Sequence, residues 1–386
     1  MSTLDCDVLV VGAGPAGSAI AAALARAGRD VVLVEARRHP RPKACAEYAS
    51  PRIAEELARL GMAEASWRTF AVPLDGMHVI NGAQRVPITY RDRSGPRTAW
   101  GLDRLGFDAA LAAHAVASGA RLLDRATFET ATPSGATVRT TEGTVRVRSR
   151  WLVGADGARS RVARQLQVER TVRAPRRLGL VAHYEGVSEL TTHGEMHVGH
   201  EAYVGLAPTP GGELNVGMAL PLDGAGPAEV RFDATIAALP AVAARLAGRR
   251  RLTRIRGVAP IGHRVARPAG PGWMLIGDAA GFVDPFTGEG IYRALRSARA
   301  AAAALQAGDD GAAERYRAAR RAAFSAKDGL TWLVQGMLAA PPLLGYALRR
   351  LERRPTAAAV LGAALGDCRP ASSALSPHFL ATVLRP

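Results

Sequence analysis

The N-terminal part of the chain alternates between two short apolar runs and one helical stripe. Asp7 to Val11 is an apolar run that ends at Gly12, and Val31 to Val34 is a second such run. Between them, residues 15–27 place Ala, Ile and Leu along one helical face, and Gly28 follows. A short apolar run bounded by a turn residue is typical of a buried strand, whereas a stripe of helical period is typical of a packed helix. The pattern therefore predicts a strand, a helix and a second strand.

The turn before this helix has the spacing G-x-G-x-x-G. Gly12 permits a tight turn, Gly14 lets a pyrophosphate approach the backbone, and Gly17 lets the helix pack closely on the strand. Glu35 ends the second strand, roughly 20 residues downstream, where a carboxylate accepts a hydrogen bond from a ribose 2′-OH. NAD and FAD fit this unit equally well. Its predicted nucleotide-binding residues are Gly12, Gly14, Pro15, Ala16, Gly17, Glu35, Ala36 and Arg37.

Further along the chain, strands dominate from about 175 to 265. Within this region Val204 to Leu206 and Leu214 to Leu220 form a predicted hairpin, joined by a Thr-Pro-Gly-Gly turn. We expect an antiparallel sheet that forms a wall of a substrate cavity. The other predicted elements are a helix near Pro51 to Leu60, strands at Gly76 to Ile80 and Arg85 to Tyr90, a helix from about Asp103 to Ser118, and strands at Ala136 to Thr140, Thr144 to Arg148 and Trp151 to Val153.

The end of the chain is predicted to be helical, because its apolar residues recur with a helical period. An alanine-rich helix is predicted from Gly290 onward, and apolar helices from about 330. Leu330 to Leu348 contains Gln335 and the pair Pro341-Pro342, which would break a helix that spans a membrane. We therefore expect a buried or interfacial helix pair there.

The formal net charge is +16, and arginine supplies nearly all of the positive charge, since Lys43 and Lys327 are the only lysines. Basic stretches run from Arg249 to Arg256 and from Arg349 to Arg354. Such charge attracts DNA, an anionic membrane, or an acidic protein or substrate, and it also occurs on solvated surfaces. No zinc-finger, helix-turn-helix or aromatic RNA-binding signature accompanies it, so nucleic acid is not an expected partner. An acidic carrier and, at most, peripheral contact with a membrane stay open.

Cys6, Cys45 and Cys368 are too few and too scattered for a disulfide framework or a metal cluster, so no metal site is predicted. The N-terminus runs directly into the first strand, without a basic segment or a cleavage site. A chain of 386 residues exceeds the usual size of one domain. We therefore expect a cytoplasmic protein in which a second domain is inserted into a nucleotide-binding domain.

Three more turns carry candidate ligand-binding residues. Arg104 lies in the first turn of a predicted helix, where a cation is unfavourable without an anionic partner, either a pyrophosphate or a nearby acid. Asp156, before Gly157, is placed to cap the following helix, in a strand, turn and helix that also repeat a nucleotide-binding geometry. Asp278, after Gly277, is placed to accept a hydrogen bond from a sugar hydroxyl.

The segment that follows Gly277-Asp278 leads into the predicted alanine-rich helix. Its glycines leave the first backbone N–H groups of that helix bare and directed at a ligand. The candidate ligand-binding residues here are Pro285, Gly288, Glu289, Gly290 and Ile291.

Together these motifs resemble the three fingerprints of the p-hydroxybenzoate hydroxylase fold group of FAD enzymes. They are Gly12 to Gly17 with Glu35, Gly154 to Gly157 with Arg159 to Arg161, and Gly277-Asp278 before a glycine-bearing helix. The resemblance implies one FAD, with its ADP half on the first strand–helix–strand unit, its pyrophosphate and ribityl near Arg104 and Asp278, and its isoalloxazine beside residues 285–291.

The resemblance also implies an α/β fold: a Rossmann-like FAD-binding domain, an inserted antiparallel β-sheet substrate domain and a helical C-terminus. The implied boundaries are 1–70, 101–172 and 266–328 for the FAD-binding domain, 71–100 and 173–265 for the substrate domain, and 329–386 for the helical region.

Within that group, the chain is similar to the geranylgeranyl-reductase-like branch. The sequence GDAAGFVDPFTGEGIYRAL lacks the histidine and the Gly-Gln-Gly triplet usual in the flavin hydroxylases. Cys45 matches the cysteine loop of the reductases, which implies a position near the flavin. The reductases' Y-x-W-x-F-P motif is present only as Tyr203, Gly205, Ala207 and Pro208, so a geranylgeranyl substrate does not follow.

Two catalytic hypotheses follow. In the first, an FAD-dependent oxidoreductase of lipid or secondary metabolism reduces or introduces a C=C bond of a hydrophobic substrate, free or carrier-bound, by hydride transfer at flavin N5. Cys45, Tyr203 or Tyr292 would then be the proton donor. In the second, an FAD-dependent monooxygenase hydroxylates or epoxidises its substrate through a flavin hydroperoxide. A non-catalytic flavoprotein that binds another protein is a third hypothesis. The chain has no second G-x-G-x-x-G, so NAD(P)H would visit transiently or a separate reductase would supply electrons.

Overall fold

The computed structural model describes residues 2–132, 134–186 and 192–385. Its strands are β1 (Thr3–Val11), β2 (Val31–Val34), β3 (Tyr48–Ala49), β4 (Ala71–Leu74), β5 (Gly76–Asn81), β6 (Gln84–Thr89), β7 (Arg91–Asp92), β8 (Gly95–Pro96), β9 (Ala99–Leu102), β10 (Arg121–Leu123), β11 (Thr127–Thr132), β12 (Gly135–Thr140), β13 (Gly143–Gly154), β14 (Glu169–Arg170), β15 (Arg177–Glu185), β16 (His193–Val198), β17 (Tyr203–Thr209), β18 (Glu213–Pro221), β19 (Arg256–Val258), β20 (Arg264–Val265), β21 (Ala269–Gly270) and β22 (Trp273–Leu275).

The α-helices are α1 (Pro15–Arg26), α2 (Ile53–Arg59), α3 (Ala65–Arg68), α4 (Arg104–Ala117), α5 (Arg161–Gln165), α6 (Ala228–Ala237), α7 (Pro240–Leu246), α8 (Gly290–Gln306), α9 (Ala312–Leu338), α10 (Pro341–Glu352), α11 (Pro355–Leu365) and α12 (Pro377–Leu384). Short 3₁₀ helices cover Pro210–Gly212, Gly277–Ala280, Pro285–Thr287 and Ala371–Ala374.

The first sheet has a parallel core with both faces covered. Its strand order is β10-β2-β1-β13-β12-β11, and β22 pairs in parallel with the end of β13. Val8, Val10 and Leu33 point into a cluster with α1, α4 and α8, while Leu9 and Val32 point to the other face. Continuous apolar strands are expected when both faces of a parallel sheet are buried. All these strands come from the segments 1–70, 101–172 and 266–328, and the division into domains stays a prediction.

Close packing at the glycine turn requires two of its glycines. Gly12 has φ +102°, a conformation that favours glycine. A Cβ on Gly17 would lie 1.7 Å from the carbonyl oxygen of Gly12, so any side chain there would separate α1 from β1. This is the role that the spacing predicted for the third glycine.

The second sheet has the order β19-β15-β18-β17-β16-β5-β6. It is antiparallel except for one pair, β5 and β16, which run parallel. The predicted hairpin is present as β17 and β18, joined at Pro210–Gly212. One face of the sheet packs on α6 and α7 through residues such as Leu180, Val204 and Val216. The alternate residues point to the opposite face, which is free to line a cavity.

Two features of this region differ from the sequence-based expectation. Helices α6 and α7 were not predicted, because the region was interpreted as strands and α6 buries only Phe232. In addition, β13 is one strand from Gly143 to Gly154, where two separate runs were predicted. Its first half pairs with β12 and its second half with β22.

The C-terminal helices α9 to α12 pack against β5 and β6 of the second sheet. Leu330, Leu344 and Leu348 share a buried cluster with Val79 and Ile88. Within the ranges described, no helix is long and apolar enough to cross a membrane.

Candidate active site

A cavity of about 350 Å³ lies between the carboxyl ends of the first sheet and the inner face of the second. Ligand sites of α/β proteins commonly occupy this edge of the sheet, and the volume is within the usual range for small-molecule pockets. Three distant glycine turns meet there, as the sequence predicted. The predicted residues that line the cavity are Gly14, Pro15, Ala16, Cys45, Arg104, Asp156, Gly157, Tyr203, Gly277, Asp278, Pro285, Gly288, Gly290 and Ile291.

Some predicted residues do not line it. Gly12 and Gly17 act within the turn, while Glu35, Ala36 and Arg37 lie at the end of β2. A second cavity, of about 330 Å³ between α1, α2 and α8, contains none of the predicted residues.

Glu35 holds the glycine turn from the side. Its carboxylate accepts hydrogen bonds from the backbone N–H of Ala13 at 3.0 Å and of Arg37 at 3.1 Å. Arg41, which the sequence reasoning missed, forms an ion pair with Glu35 at 2.9 Å. Its guanidinium also lies 3.7 Å from where a Cβ on Gly14 would be. A second cation, Lys43, lines the cavity, and its ammonium lies 3.8 Å from where a Cβ on Gly157 would be, so one cation lies beside each of these two glycine turns.

Asp156 both caps a helix and faces the cavity. One carboxylate oxygen accepts from the backbone N–H of Arg161 at 2.6 Å and of Val162 at 3.2 Å, as the capping interpretation predicted. The other oxygen is buried without a partner. Burial raises the pKa of Asp156. A buried acceptor without a partner is costly, which favours a ligand that donates a hydrogen bond at this point.

The 3₁₀ helix Pro285–Thr287 and the start of α8 form the opposite side of the cavity. Gly288 has φ +67°, and a Cβ on it would lie 2.8 Å from the ring of Tyr48. The residue before α8, Glu289, makes no side-chain cap. The first N–H groups of α8 are therefore free of side-chain partners, and Gly290 and Ile291 bring them to the cavity. A helix start of this kind stabilises negative charge on a bound group.

Glu289, predicted to contact the cofactor, instead points away from the cavity. Its carboxylate lies 3.1 Å from the ammonium of Lys327 and 3.5 Å from Arg293. Lys327 also lies 3.1 Å from Asp367 and donates to two carbonyl oxygens at the end of α11. Burial raises the pKa of Asp367 to about 6, against the opposing effect of Lys327. This cluster ties the loop before α8 to the C-terminal helices.

Tyr292 also lies outside the cavity lining. Successive residues of a helix point about 100° apart. Because Ile291 and Ala294 face the cavity, Tyr292 points sideways into the packing of the first sheet's helices. Burial raises its pKa to about 12. The structure therefore does not bring Tyr292 to the place where a proton would be needed.

Arg104 is paired with a nearby acid, which is one of the two anionic partners that its position in the helix predicted. Its guanidinium makes two hydrogen bonds of 2.8 Å to Asp108, and both side chains are buried. The backbone N–H of Arg104 also donates to the carboxylate of Glu47 at 3.3 Å, two residues after Cys45. Behind Cys45, the carboxylate of Glu47 accepts from Asn215 at 3.0 Å. The cysteine loop is thus held by charged and polar groups on two sides.

Tyr203 belongs to a polar group that the sequence did not reveal. Its hydroxyl donates to Asp284 at 2.6 Å, and Asp284 lies 3.0 Å from Arg177. The ring of Tyr203 packs edge-on against Phe286, with centroids 5.1 Å apart. Burial, and then the charge of Asp284, raise the pKa of Tyr203 well above its usual value. Burial raises the pKa of Asp284, although Arg177 opposes the shift.

The remaining wall of the cavity is apolar. It is formed by Val181, Met196, Val258, Ile261 and Phe282, most of them from the second sheet. Gly217 lets the cysteine loop approach this sheet, because a Cβ there would lie 2.9 Å from that of Ala46. The cavity therefore has one polar, glycine-lined side and one apolar side.

These features fit an FAD. The uncapped starts of α1 and α8, the cavity-lining glycines Gly14, Gly288 and Gly290 at those starts, and the unpartnered carboxylate oxygen of Asp156 lie along a single cavity. A protein family described as the FAD binding domain matches residues 5–325. The chain belongs to this family. It is an FAD-dependent oxidoreductase, and FAD is its cofactor.

Curated relatives of this flavoprotein are reductases. The menaquinone reductase of Mycolicibacterium smegmatis is 35% identical over 318 residues, which cover 78% of this chain and 76% of the relative. The digeranylgeranylglycerophospholipid reductase of Methanosarcina mazei is 31% identical over 324 residues, with coverage of 78% and 76%.

Solved structures share the fold at lower identity. A flavoprotein/dehydrogenase from Cytophaga hutchinsonii superposes with a TM-score of 0.83 at 22% identity, over 93% of this chain and 92% of the other. A geranylgeranyl bacteriochlorophyll reductase-like protein from Thermoplasma acidophilum has a TM-score of 0.78 at 23% identity, with coverage of 92% and 93%. A flavin-dependent brominase has a TM-score of 0.81 at 20% identity, with coverage of 98% of each chain.

Proposed function

We propose that this flavoprotein reduces a C=C bond of a hydrophobic, prenyl-type substrate. The observation that carries the proposal is the continuity of one cavity, from the glycine turns that fit FAD to the apolar wall of Val181, Met196 and Ile261. Apolar side chains of this kind favour a hydrocarbon substrate over a charged one. Two relatives support the class, since their names give menaquinone and a digeranylgeranylglycerophospholipid as substrates.

The shape of the apolar wall favours a substrate wider than a single prenyl chain. Gly205 and Ala207 occupy the positions at which the resembling reductases carry aromatic residues. Gly205 lines the cavity, and a Cβ there would lie 3.5 Å from the methyl of Met196, so the small residue leaves space beside the wall. A ring with an attached prenyl chain would use this space.

Bound FAD would supply the hydride equivalent at its N5 atom, leaving the protein to orient the substrate and to deliver a proton. The bare N–H groups at the start of α8 would stabilise the negative charge that reduction places on the ring system. Gly288 and Gly290 line the cavity without side chains, so the backbone at the start of α8 would be open to the ring. The second N–H cluster, at the start of α1, would hold the pyrophosphate.

Reduction of a C=C bond needs one proton in addition to the hydride. Tyr203 is the donor that the geometry favours, because it lines the cavity and its ring packs on Phe286 beside the 285–291 loop. Asp284 accepts from this hydroxyl at 2.6 Å and would orient it, and solvent would return a proton to the phenol oxygen after transfer. Cys45 is the second candidate, since its thiol also lines the cavity. Both assignments are proposals.

Anaerobic turnover tests the proposal. The holoenzyme is reduced chemically without O₂ and mixed with a menaquinone that carries a short isoprenoid chain, and flavin reoxidation is followed by absorbance. We expect substrate-dependent reoxidation and a product that keeps two added hydrogen atoms after its quinone ring has been reoxidised in air, which separates C=C reduction from formation of the quinol. NADH, NADPH and a separate reductase serve as alternative electron donors in parallel reactions.

Two outcomes would contradict the proposed reduction. Reoxidation that requires O₂, with an oxygen atom in the product, would assign the chain to the monooxygenases of the same fold. Absence of turnover with prenyl substrates in either atmosphere would overturn the substrate class while leaving the cofactor assignment intact.

A further inference from the structure

The C-terminal helices expose large apolar side chains. Of the described residues, the exposed large hydrophobic ones are Leu105, Val116, Val230, Trp332, Leu343 and Leu384. The last three lie on α9, α10 and α12. The other four tryptophans are at most 8% exposed, whereas Trp332 is 44% exposed. A tryptophan held in solvent within an apolar stretch needs an explanation that core packing does not provide.

The exposed positions follow one another along an uncharged stretch. Residues 329–348 contain no Asp, Glu, Lys or Arg. Within this stretch the exposed positions are Trp332, Gly336, Ala339, Pro342 and Leu343. On α9 these have the spacing i, i+4 and i+7, which places them on one face of the helix. The opposite face carries Leu330 and other residues of the buried cluster.

The end of α12 extends this face across α10. The hydroxyl of Tyr346 donates to the carbonyl oxygen of Leu384 at 2.9 Å, and the guanidinium of Arg350 donates to that of Arg385 at 2.6 Å. Leu343, Tyr346 and Arg350 have the spacing i, i+3 and i+7 on α10. The end of α12, which carries Leu384, therefore lies against the face of α10 that carries Leu343, and the apolar face is continued by a second helix.

Arginines border this apolar face. Arg349 and Arg353 are exposed at the end of α10, and Arg385 is exposed beside Leu384. The acidic residue nearby, Glu352, directs its carboxylate at the backbone N–H of Arg85 in β6. The border is thus cationic in a chain whose net charge is +16. Two copies of such a surface would repel each other, whereas an anionic surface would complement it.

We propose that α9, α10 and α12 dock this flavoprotein on the surface of an anionic phospholipid bilayer. Trp332, Leu343 and Leu384 enter the boundary between headgroups and acyl chains, while Arg349, Arg353 and Arg385 contact the phosphates. Amphipathic faces with aromatic and aliphatic residues bordered by cations bind bilayers in this way without spanning them. The proposal is independent of the substrate class, because it uses no residue of the cavity.

Vesicle binding of the holoenzyme tests this proposal. Sedimentation with vesicles of phosphatidylcholine and phosphatidylglycerol is compared with sedimentation with phosphatidylcholine alone, at low and high salt. We expect binding to the anionic vesicles, weakened by salt. The double variant Trp332→Ser/Leu343→Ser should lower the partition coefficient by roughly tenfold or more, since two apolar anchors are lost. Val230→Ser, at an exposed apolar position on α6, is the matched control and should bind like the wild type.

Tryptophan fluorescence gives a second readout. The emission difference between the wild type and Trp332→Phe isolates Trp332, and we expect this difference spectrum to shift to the blue when anionic vesicles are added. Flavin absorbance and thermal unfolding check that each variant is folded, and turnover of a detergent-dispersed substrate should be unchanged in the surface variants.

Three results would overturn the proposal. They are equal binding to neutral and anionic vesicles, equal loss of binding in Val230→Ser, and a Trp332 spectrum that does not change on binding. A concentration-dependent dimer that Trp332→Ser abolishes, with no vesicle binding, would assign this face to a second copy of the chain.

Discussion

The hydroxyl of Tyr203 donates a 2.6 Å hydrogen bond to the buried carboxylate of Asp284, at the point where the second sheet meets the loop that precedes α8. Asp284 is held in turn by Arg177 and by the backbone N–H of Phe286. The pair thus connects a side chain of the cavity wall with the 3₁₀ helix that precedes α8. This arrangement is the physical basis for assigning the proton step to Tyr203.

Replacing Tyr203 by Phe removes the proposed proton donor and keeps the ring that packs on Phe286. We expect the rate of substrate-dependent flavin reoxidation to fall by roughly 10²–10⁴-fold, the usual contribution of a positioned acid, with little change in FAD affinity. Single-turnover absorbance measures the rate, and flavin fluorescence measures the affinity. Cys45→Ser is the matched comparison, because a larger loss there would transfer the proton role to the thiol.

Replacing Lys327 by Met leaves Glu289 and Asp367 buried without their shared cation. Breaking a buried ion pair from one side costs about 3–5 kcal/mol. We expect a loss of this order in the free energy of unfolding, together with weaker FAD binding, because the loop before α8 loses its anchor. Chemical denaturation and FAD titration check the two effects. Arg121→Gln, which breaks an exposed pair with Asp30, should cost at most about 1 kcal/mol.

Gly288 is needed for both its backbone conformation and its lack of a side chain. Gly288→Ala places a Cβ 2.8 Å from Tyr48 in a residue with φ +67°, so the loop must shift. We expect weaker FAD binding and a changed flavin absorbance spectrum. Gly82→Ala has a similar φ of +57° in the turn between β5 and β6, with nothing near its Cβ. It should lose some stability and keep normal FAD binding. Equal effects of the two variants on FAD would remove the special role of Gly288.

Asp367 makes stability depend on pH. Burial raises its pKa from 3.8 to about 6, so the folded state holds the proton more tightly than the unfolded state. The stability that this proton confers is fully present below about pH 4 and is lost as pH rises through about 6. We expect the free energy of unfolding of the wild type to fall over this range relative to that of Asp367→Asn. Denaturation of both proteins at several pH values measures the difference, and parallel curves would contradict the assignment.

The glycine turns could be predicted because each is a local requirement of the backbone. Gly12 and Gly288 have positive φ, and Gly17 stands against a carbonyl oxygen, so the residue type itself records the conformation. The order of elements in the first strand–helix–strand unit was predicted for the same reason. So was the hairpin of β17 and β18, whose turn ends directly before Glu213.

Long-range pairs left no local pattern. Tyr203 and Asp284 are 81 positions apart in the sequence. The segment around Asp284 contains no pattern that indicates a contact with Tyr203. The direction of the Glu289 side chain depends on Lys327, in a helix that the motif does not include. Helices α6 and α7 were missed because their apolar faces are narrow and cover an already apolar sheet.

The measurement that tests the central claim most directly is the mass of the product formed by the chemically reduced holoenzyme and a short-chain menaquinone in the absence of O₂. The account predicts a product that stays heavier by two hydrogen atoms after its quinone ring has been reoxidised in air, since a quinol loses its added hydrogen atoms there and a reduced C=C bond keeps them. A product that contains a new oxygen atom and forms only when O₂ is admitted would contradict it.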